Sequence, residues 1–321
     1  MPPVAAVVYN PIKVDLDAIK TAVAREQEAN GWDETLWFET SESDAGQGMT
    51  AQALEQGADL VIAAGGDGTV RAVAEAVAGS DASLALLPAG TGNLLARNLK
   101  LTLDDVDHSI HTAFAGQDRV VDLGRITIED DEGARSSHAF VVMAGLGLDA
   151  QMLANTDDEL KAKIGWLAYV RALGTAMRDK NQLNLKYRLD GDRQVTTRAH
   201  TVIIGNCGSL PGNVLLMPEA AVDDGLFDIV VLRPNGILGW VQIWYKVIVE
   251  NGILRRTAWG RRVLDAAKDV HVLRYFTGRE FVLRLSRSHD LELDGDSFGT
   301  ARAIRAWVDA GGLTVRVPAE G

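Results

Sequence analysis

The stretch Asp59-Leu-Val-Ile-Ala-Ala-Gly65-Gly66-Asp67-Gly68-Thr69-Val70 runs apolar, breaks into glycines around one carboxylate, and re-enters an alanine-rich segment. Few folds accommodate such a run. Asp59 to Ala64 is short and continuously apolar, as expected of a strand buried on both faces of a parallel sheet. The glycines can take positive φ and let a ligand come against the backbone, where free amides opening a helix over Val70 to Ala78 favour an anion. Strand, tight loop and helix together predict a phosphate cradle. No Gly-Lys-Ser/Thr follows, so this is not a Walker loop, and its glycine spacing is not that of the dinucleotide fingerprint. Asp67 would oppose a bare phosphate, which points to Mg²⁺ held between carboxylate and phosphate; an Asp that merely caps the helix is the plainer alternative. A second loop repeats the pattern. Ser83-Leu-Ala-Leu-Leu-Pro88-Ala-Gly90-Thr91-Gly92-Asn93 is an apolar strand entering glycines ahead of a helical Leu94 to Leu99. Two such loops after neighbouring strands lie at one carboxyl edge of a sheet, where open α/β folds bind ligands.

The flanking sequence fits that sheet. Val4 to Tyr9 reads as a first strand ended by Asn10-Pro11, Asp15 to Ala29 as a helix, Thr35 to Thr40 as a strand, Ala45 to Gln56 as a helix, and Leu84 to Leu87 as a strand. This alternation predicts a parallel-sheet α/β domain over residues 1–121, resembling a nucleotide-binding domain. After a helical Leu103 to Phe114 the rhythm changes. Val120 to Glu129, His138 to Ala144, Leu183 to Leu189, Thr201 to Gly205, Phe227 to Leu232, Asp269 to Phe276, Phe281 to Leu285, Asp290 to Leu293, Ala301 to Val308 and Leu313 to Val317 read as strands. Hairpin turns such as Asp190-Gly191 separate several of them. Residues 122–321 are therefore expected to form a mainly antiparallel β domain, with helical insertions at Asp157 to Met177 and Ile237 to Leu254. The second insertion carries Trp240, Ile243, Trp244 and Val247, yet holds Lys246 and Glu250 and is too short to span a bilayer. It is either a core helix or an apolar lip that meets lipid with Arg255, Arg256, Arg261 and Arg262 near headgroups.

Composition narrows the partners. The chain has 321 residues, enough for two cores, and a net charge of −12, which argues against nucleic acid and gives no general attraction to anionic lipid. Any membrane contact must be apolar or locally basic. Cys207 is the single cysteine, which excludes an internal disulfide and a thiolate metal site and fits a reducing cytosol. Met1-Pro-Pro leads into a strand without a basic region or cleavage site, so no signal peptide is expected and the location reads as cytoplasmic.

Taken in order, Asn10-Pro11, Gly65-Gly66-Asp67-Gly68-Thr69, Pro88-Ala-Gly90-Thr91-Gly92-Asn93, Gly145-Leu-Gly147-Leu-Asp149, Asp223-Asp224-Gly225 and Asp294-Gly295-Asp296 resemble the diacylglycerol kinase catalytic-domain family, which includes bacterial lipid kinases and sphingosine kinases. The first glycine element alone is shared with NAD kinases. The resemblance implies an ATP- and Mg²⁺-dependent kinase acting on a lipid hydroxyl, with the nucleotide between the two domains and the last segment able to pack back on the first. Diacylglycerol is the first acceptor to consider; a sphingoid base, NAD, or a regulator that binds nucleotide or lipid without turnover are the alternatives. The lipid would be met by peripheral membrane contact, and a homodimer is left open.

Phosphoryl transfer needs positioned phosphates, neutralised charge and a group to take the hydroxyl proton. Gly65, Gly66, Gly68, Thr69, Gly90, Thr91, Gly92 and Asn93 offer donors for the phosphates. Asn10, Pro11 and Thr40 end neighbouring strands on the same edge, and the resemblance implies nucleotide contacts there. For the metal, Asp67 is expected to pair with Asp122, a carboxylate inside an apolar strand that is costly unless paired, hydrogen-bonded or metal-bound. Relatives often place an Asp after the Asn of the second loop, where this chain has Leu94, and an Asn-Glu after the first loop, where it has Arg71-Ala72 and Ala74. The resemblance carries the proton-accepting role to Asp296, with Asp294 orienting it; a competing scheme gives that role to Asp67. It also implies a structural Mg²⁺ held by Asp224 and the carbonyls of Ala221 and Leu226, oxygen ligands suited to that ion.

Overall fold

The computed structural model describes residues 2–147, 182–210, 214–217, 219–233 and 273–319. The first part alternates as the periodicity requires: β1 (Ala5–Tyr9), α1 (Leu16–Asn30), β2 (Leu36–Glu39), α2 (Gln47–Glu55), β3 (Leu60–Gly65), α3 (Asp67–Val77), β4 (Ser83–Pro88), α4 (Leu94–Asn98) and α5 (Val106–Ala115). Local chemistry sets the ends. Asp15 accepts the Ala18 amide at 3.1 Å to open α1, and Gly31 closes it in the left-handed region at φ +69°. Asp105 caps α5 through the His108 amide, which is why that helix starts three residues later than its apolar pattern suggests.

The second part is nearly all strand: β5 (Gln117–Glu129), β6 (Arg135–Phe140), β7 (Met143–Leu146), β8 (Leu183–Leu189), β9 (Val195–Ala199), β10 (Thr201–Gly205), β11 (Ser209–Leu210), β12 (Val214–Leu215), β13 (Phe227–Leu232), β14 (Leu273–Gly278), β15 (Glu280–Leu293) and β16 (Asp296–Val317). β11 and β12 pair only with each other; the other fourteen strands form one mixed sheet. Its order is β14-β13-β10-β7-β15-β16-β4-β3-β1-β2, with β5 and β6 branching from β16, and β8 and β9 from β15. β2, β1, β3 and β4 are parallel, and the antiparallel strands follow beyond β16. The end of β16 lies parallel to β4, Val315 opposite Leu84, so the C-terminal segment packs back on the N-terminal sheet.

Burial follows the strand alternation. In β3, Leu60, Ile62 and Ala64 face one core with Ile19, Val23, Ile110 and Phe114, while Val61 and Ala63 face another with Val73, Val77 and Leu123. This strand is thus covered on both faces, as its unbroken apolar run requires. A third core lies among the antiparallel strands around Phe140, Leu183, Phe227 and Phe281.

Several elements depart from the sequence expectation. α3 begins at Asp67 rather than Val70, because the glycine loop itself enters the first turn. His138 to Ala144 is two strands, broken where the amides of Val141 and Val142 turn to a side chain. The paired segments Phe281 to Leu285 with Asp290 to Leu293, and Ala301 to Val308 with Leu313 to Val317, are each one long strand carrying a register shift. β9 went unseen because it is a mostly exposed edge strand with no apolar alternation. The two helical insertions, with Trp240 and Arg255, Arg256, Arg261 and Arg262, lie outside the described residues, as does Asp149. Among the described residues no helix is long and apolar enough to cross a membrane.

Candidate active site

The carboxyl ends of β1, β3 and β4 meet at one edge. After β1, the Asn10 amide donates to the Ala64 carbonyl of β3 at 2.9 Å, and its side-chain oxygen accepts the Ile12 amide at 3.0 Å. This tight turn throws Lys13 toward the first glycine loop, where a Cβ at Gly66 would lie 2.8 Å from Lys13 Nζ. The two glycine loops nearly touch, since a Cβ at Gly90 would lie 2.9 Å from the Gly66 Cα. Only glycine permits that approach. Gly66 at the start of α3 makes no side-chain cap bond. Pro11 and Thr91 are exposed beside it; Thr69 is buried, and so is Thr40, whose amide donates to the Tyr9 carbonyl at 2.9 Å.

Asp67 joins the two loops. Its carboxylate accepts the Asn93 amide at 2.9 Å and the Leu94 amide at 2.6 Å, so it caps α4 rather than its own helix. Asn93 sits at φ +48°, a left-handed conformation that asparagine tolerates, and its side chain holds the second loop by bonding both the amide and the carbonyl of Gly90. Gly92 is required beneath this clasp, because a Cβ there would collide with Asp67 Oδ2. Burial pushes the Asp67 carboxyl above its ordinary range, the amides of Leu94 and Asn93 pull it down, and the charge of Asp296 adds to the rise.

Asp296 arrives from the other half of the sheet. It opens β16 at the tip of the β15–β16 hairpin, whose turn is Asp294 at φ +52° and Gly295 at φ +92°. The carboxylate is half exposed, and a Cβ at Gly68 would lie 2.6 Å from its Oδ2. Its cation is Arg71, whose guanidinium lies 3.6 Å from Asp296 and 3.6 Å from Glu75, against the Phe298 ring at 4.5 Å. Arg71 is only 7% exposed and its Nε has no hydrogen-bond partner.

Asp294 does a different job. It is 4% exposed, and its carboxylate accepts the amides of Val141, Val142 and Met143 at 2.8, 2.8 and 2.9 Å. Burial pushes this carboxyl up to about 6 against the pull of the three amides and of Arg71. With its oxygens engaged by backbone it anchors the hairpin that carries Asp296.

Asp122 does not pair with Asp67. It is 4% exposed, and its oxygens accept the amides of Gly225 at 2.6 Å and Gly311 at 2.8 Å, which offset its burial without a metal. Its own amide donates to the Val222 carbonyl at 2.7 Å, and its carbonyl accepts from Asn206. Asp122 therefore belongs to the loop of Asp223-Asp224-Gly225. There the exposed Asp224 accepts the Leu226 amide through one oxygen at 3.0 Å. Asp228, 8% exposed, is pushed up to about 6 by burial and by the neighbouring charges of Asp224 and Glu219. Among the described residues no three His, Cys, Asp or Glu side chains are grouped tightly enough to hold a metal ion on their own.

Lys13 and Asn206 carry no motif that marks them in the sequence. Lys13 follows Asn10-Pro11 by two residues, and only the turn geometry brings it to Gly66. Arg71 was singled out solely as a departure from the family pattern.

Residues 5–126 match the family described as "Diacylglycerol kinase catalytic domain", and residues 141–249 match "YegS C-terminal NAD kinase beta sandwich-like domain". A protein of Pseudomonas fluorescens described as "Probable lipid kinase YegS-like" is 33% identical over 231 residues, covering 70% of each chain. Its counterpart in Pseudomonas aeruginosa is 29% identical, covering 94% of this chain and 90% of the relative. A "Diacylglycerol kinase" of Mycobacterium tuberculosis is 30% identical over 58% of this chain and 59% of its own. Among solved structures, a diacylglycerol kinase from Bacillus anthracis superimposes with a TM-score of 0.67 at 18% identity, covering 98% of this chain and 96% of the other, a likeness of fold. An NAD kinase from Archaeoglobus fulgidus in complex with ATP shares that fold more distantly, with a TM-score of 0.50 at 12% identity, covering 98% of this chain and 93% of the other. Two glycine loops clasped by one aspartate, faced by an acid on a hairpin, thus sit in a chain that belongs to the diacylglycerol kinase catalytic-domain family of lipid kinases.

Proposed function

We propose that the chain transfers the γ-phosphoryl group of ATP to a hydroxyl of a membrane-derived lipid, diacylglycerol being the first acceptor. The observation that carries this reading is the approach of Asp296 to Gly68 at the start of α3, which sets a half-exposed carboxylate, paired only with Arg71 among the described residues, beside the glycine backbone. In this reading the amides of Gly66 and Gly68 and the Lys13 ammonium hold the phosphates. The lipid hydroxyl oxygen bonds to the γ-phosphorus as the bridge from that phosphorus to the β-phosphate oxygen breaks. Asp296 takes the hydroxyl proton and ADP leaves. Arg71 holds Asp296 over the loop.

The site suits a magnesium nucleotide. Mg²⁺ typically keeps one or two carboxylates plus phosphates and water, and Asp67 lies within the loop. When bound it would neutralise charge on the phosphates. The loop of Asp224, Ala221 and Leu226 is the proposed place for a structural Mg²⁺; burial is the main cause that raises Asp228, and a cation there would relieve the part added by Asp224 and Glu219.

The test is phosphate transfer from labelled ATP to diacylglycerol, sphingosine and monoacylglycerol in mixed micelles, with NAD as the soluble control. A labelled lipid carries the proposal and names the acceptor. Labelled NAD would overturn it, and ATP binding without any product would favour a regulator.

A further inference from the structure

The solvent face of the sheet formed by β8, β9 and β15 is cationic in a chain whose net charge is −12. Along β8 the buried residues Leu183, Leu185 and Tyr187 alternate with exposed Asn184, Lys186 and Arg188. Lys186 sits directly opposite Arg284 of β15, and Arg198 of β9 directly opposite Asn184. Together with Arg233 and Arg302, these residues line a groove of about 810 Å³ with no Asp or Glu among its described lining residues.

Two features argue that this charge serves a ligand. Like charges directly opposite across strands destabilise a sheet, so the Lys186–Arg284 pair is a cost the fold carries. Compensation is also thin. Among the described residues Arg284 forms its ion pair with Glu129, at 2.6 Å, and that carboxylate is already shared with Arg135. Lys186, Arg198, Arg233 and Arg302 make no ion pair among the described residues.

We infer that this groove is the surface by which the protein docks on anionic phospholipid headgroups. The inference rests on the lipid kinase reading, which requires the chain to meet a bilayer although its overall charge opposes one. A local basic field overcomes that opposition within a Debye length of the surface. Arg302 is six residues along β16 from Asp296, about 20 Å at the rise of a strand. The same strand therefore links the docking groove to the proposed base.

The experiment compares wild type with a variant carrying Lys186→Gln and Arg198→Gln in sedimentation with phosphatidylcholine vesicles, with and without phosphatidylglycerol. Wild type should bind only the anionic vesicles, and lose them as NaCl is raised. At about 1 kcal/mol per basic residue near the surface, with each 1.4 kcal/mol worth tenfold, the variant should bind them about 30-fold more weakly. Its melting temperature should hold or rise as the cross-strand repulsion goes, and its phosphate transfer to a lipid in neutral micelles should be unchanged. Equal vesicle binding by both proteins would overturn the inference while leaving the kinase reading intact. Displacement by inorganic phosphate far beyond that by chloride at equal ionic strength would also overturn it, marking a pocket for a free anion. Failure of micellar transfer by wild type would instead sink the kinase reading.

Discussion

Substitution of Asp294 separates an anchor from a chemical participant. Its Oδ2 accepts the Val141 amide and its Oδ1 those of Val142 and Met143, all buried. Asp294→Asn keeps the shape, but can present only one acceptor oxygen. If that oxygen keeps Val142 and Met143, the new amide nitrogen confronts the Val141 N–H, donor against donor. A bond to a charged acceptor is worth roughly 1.5–3 kcal/mol, and an orphaned buried donor costs roughly 1–3 kcal/mol, so a loss near 3 kcal/mol is expected after partial recovery from removing a buried charge. For a chain of this size that lowers the melting temperature by roughly 4–5 °C. Asp294→Ala orphans all three amides and should cost about 5 kcal/mol or more. Thermal and urea unfolding read the stability, and micellar phosphate transfer reads kcat. The anchor argument requires stability and kcat to fall together, since the hairpin carrying Asp296 loosens. An Asp294→Asn protein with unchanged melting temperature would refute it, and a kcat loss of about 10²-fold in that protein would make Asp294 a proton carrier instead.

Asp67→Asn should weaken the clasp on Asn93 and Leu94, raising the ATP dissociation constant at least about tenfold by calorimetry and lowering the melting temperature; unchanged ATP affinity would remove Asp67 from the nucleotide site. Asp296→Asn should leave ATP affinity intact while kcat falls about 10²-fold or more, and a loss confined to ATP binding would move Asp296 to the nucleotide side. Asp228 is raised to about 6 when folded against 3.8 for the free group, so its ionisation costs stability: the cost is absent below about pH 4 and full above about pH 6. Asp228→Asn should therefore raise the unfolding free energy from urea titration at pH 7 by up to about 3 kcal/mol, give little gain at pH 4.5, and flatten the pH dependence between. A variant that gains nothing at pH 7 in EDTA would show that burial and the charges of Asp224 and Glu219 do not raise Asp228.

The parallel half was legible because each signal there is local. Unbroken apolar runs in β1, β3 and β4 can only be strands covered twice, and their glycines mark where backbone must approach backbone. The antiparallel half was legible strand by strand, since alternation such as that of β8 survives in sequence. What did not show was which strands are continuous. The register shifts of β15 and β16 interrupt the pattern without ending the strand. The site followed the same divide. Gly68 and Asp296 carry recognisable motifs, yet their contact depends on β16 running back beside β4. A carboxylate in an apolar strand reads alike whether it serves a metal or a pair of amides. That is why Asp122 was grouped with Asp67, and only the position of the Gly225 and Gly311 loops separates them.

The continuity of the sheet explains how this chain can carry Leu94 where the family resemblance implies an acid. Leu94 is 5% exposed in the core with Val121 and Leu123, and only its amide reaches the site, donated to Asp67. Carboxylate chemistry at the loops is thereby concentrated in Asp67 and Asp296, which sit on α3 and β16 respectively. Those elements do not drift independently. β16 pairs with β4, whose end forms the second loop, while Asp294 ties the hairpin to the amides of Val141, Val142 and Met143. Arg71 then spans the remaining gap from α3 to Asp296. A buried guanidinium with an unpartnered Nε is a poor choice for stability alone, because an apolar side chain of similar volume often does as well there. Its place between the loop and the hairpin is better explained by where it holds Asp296 than by what it adds to folding.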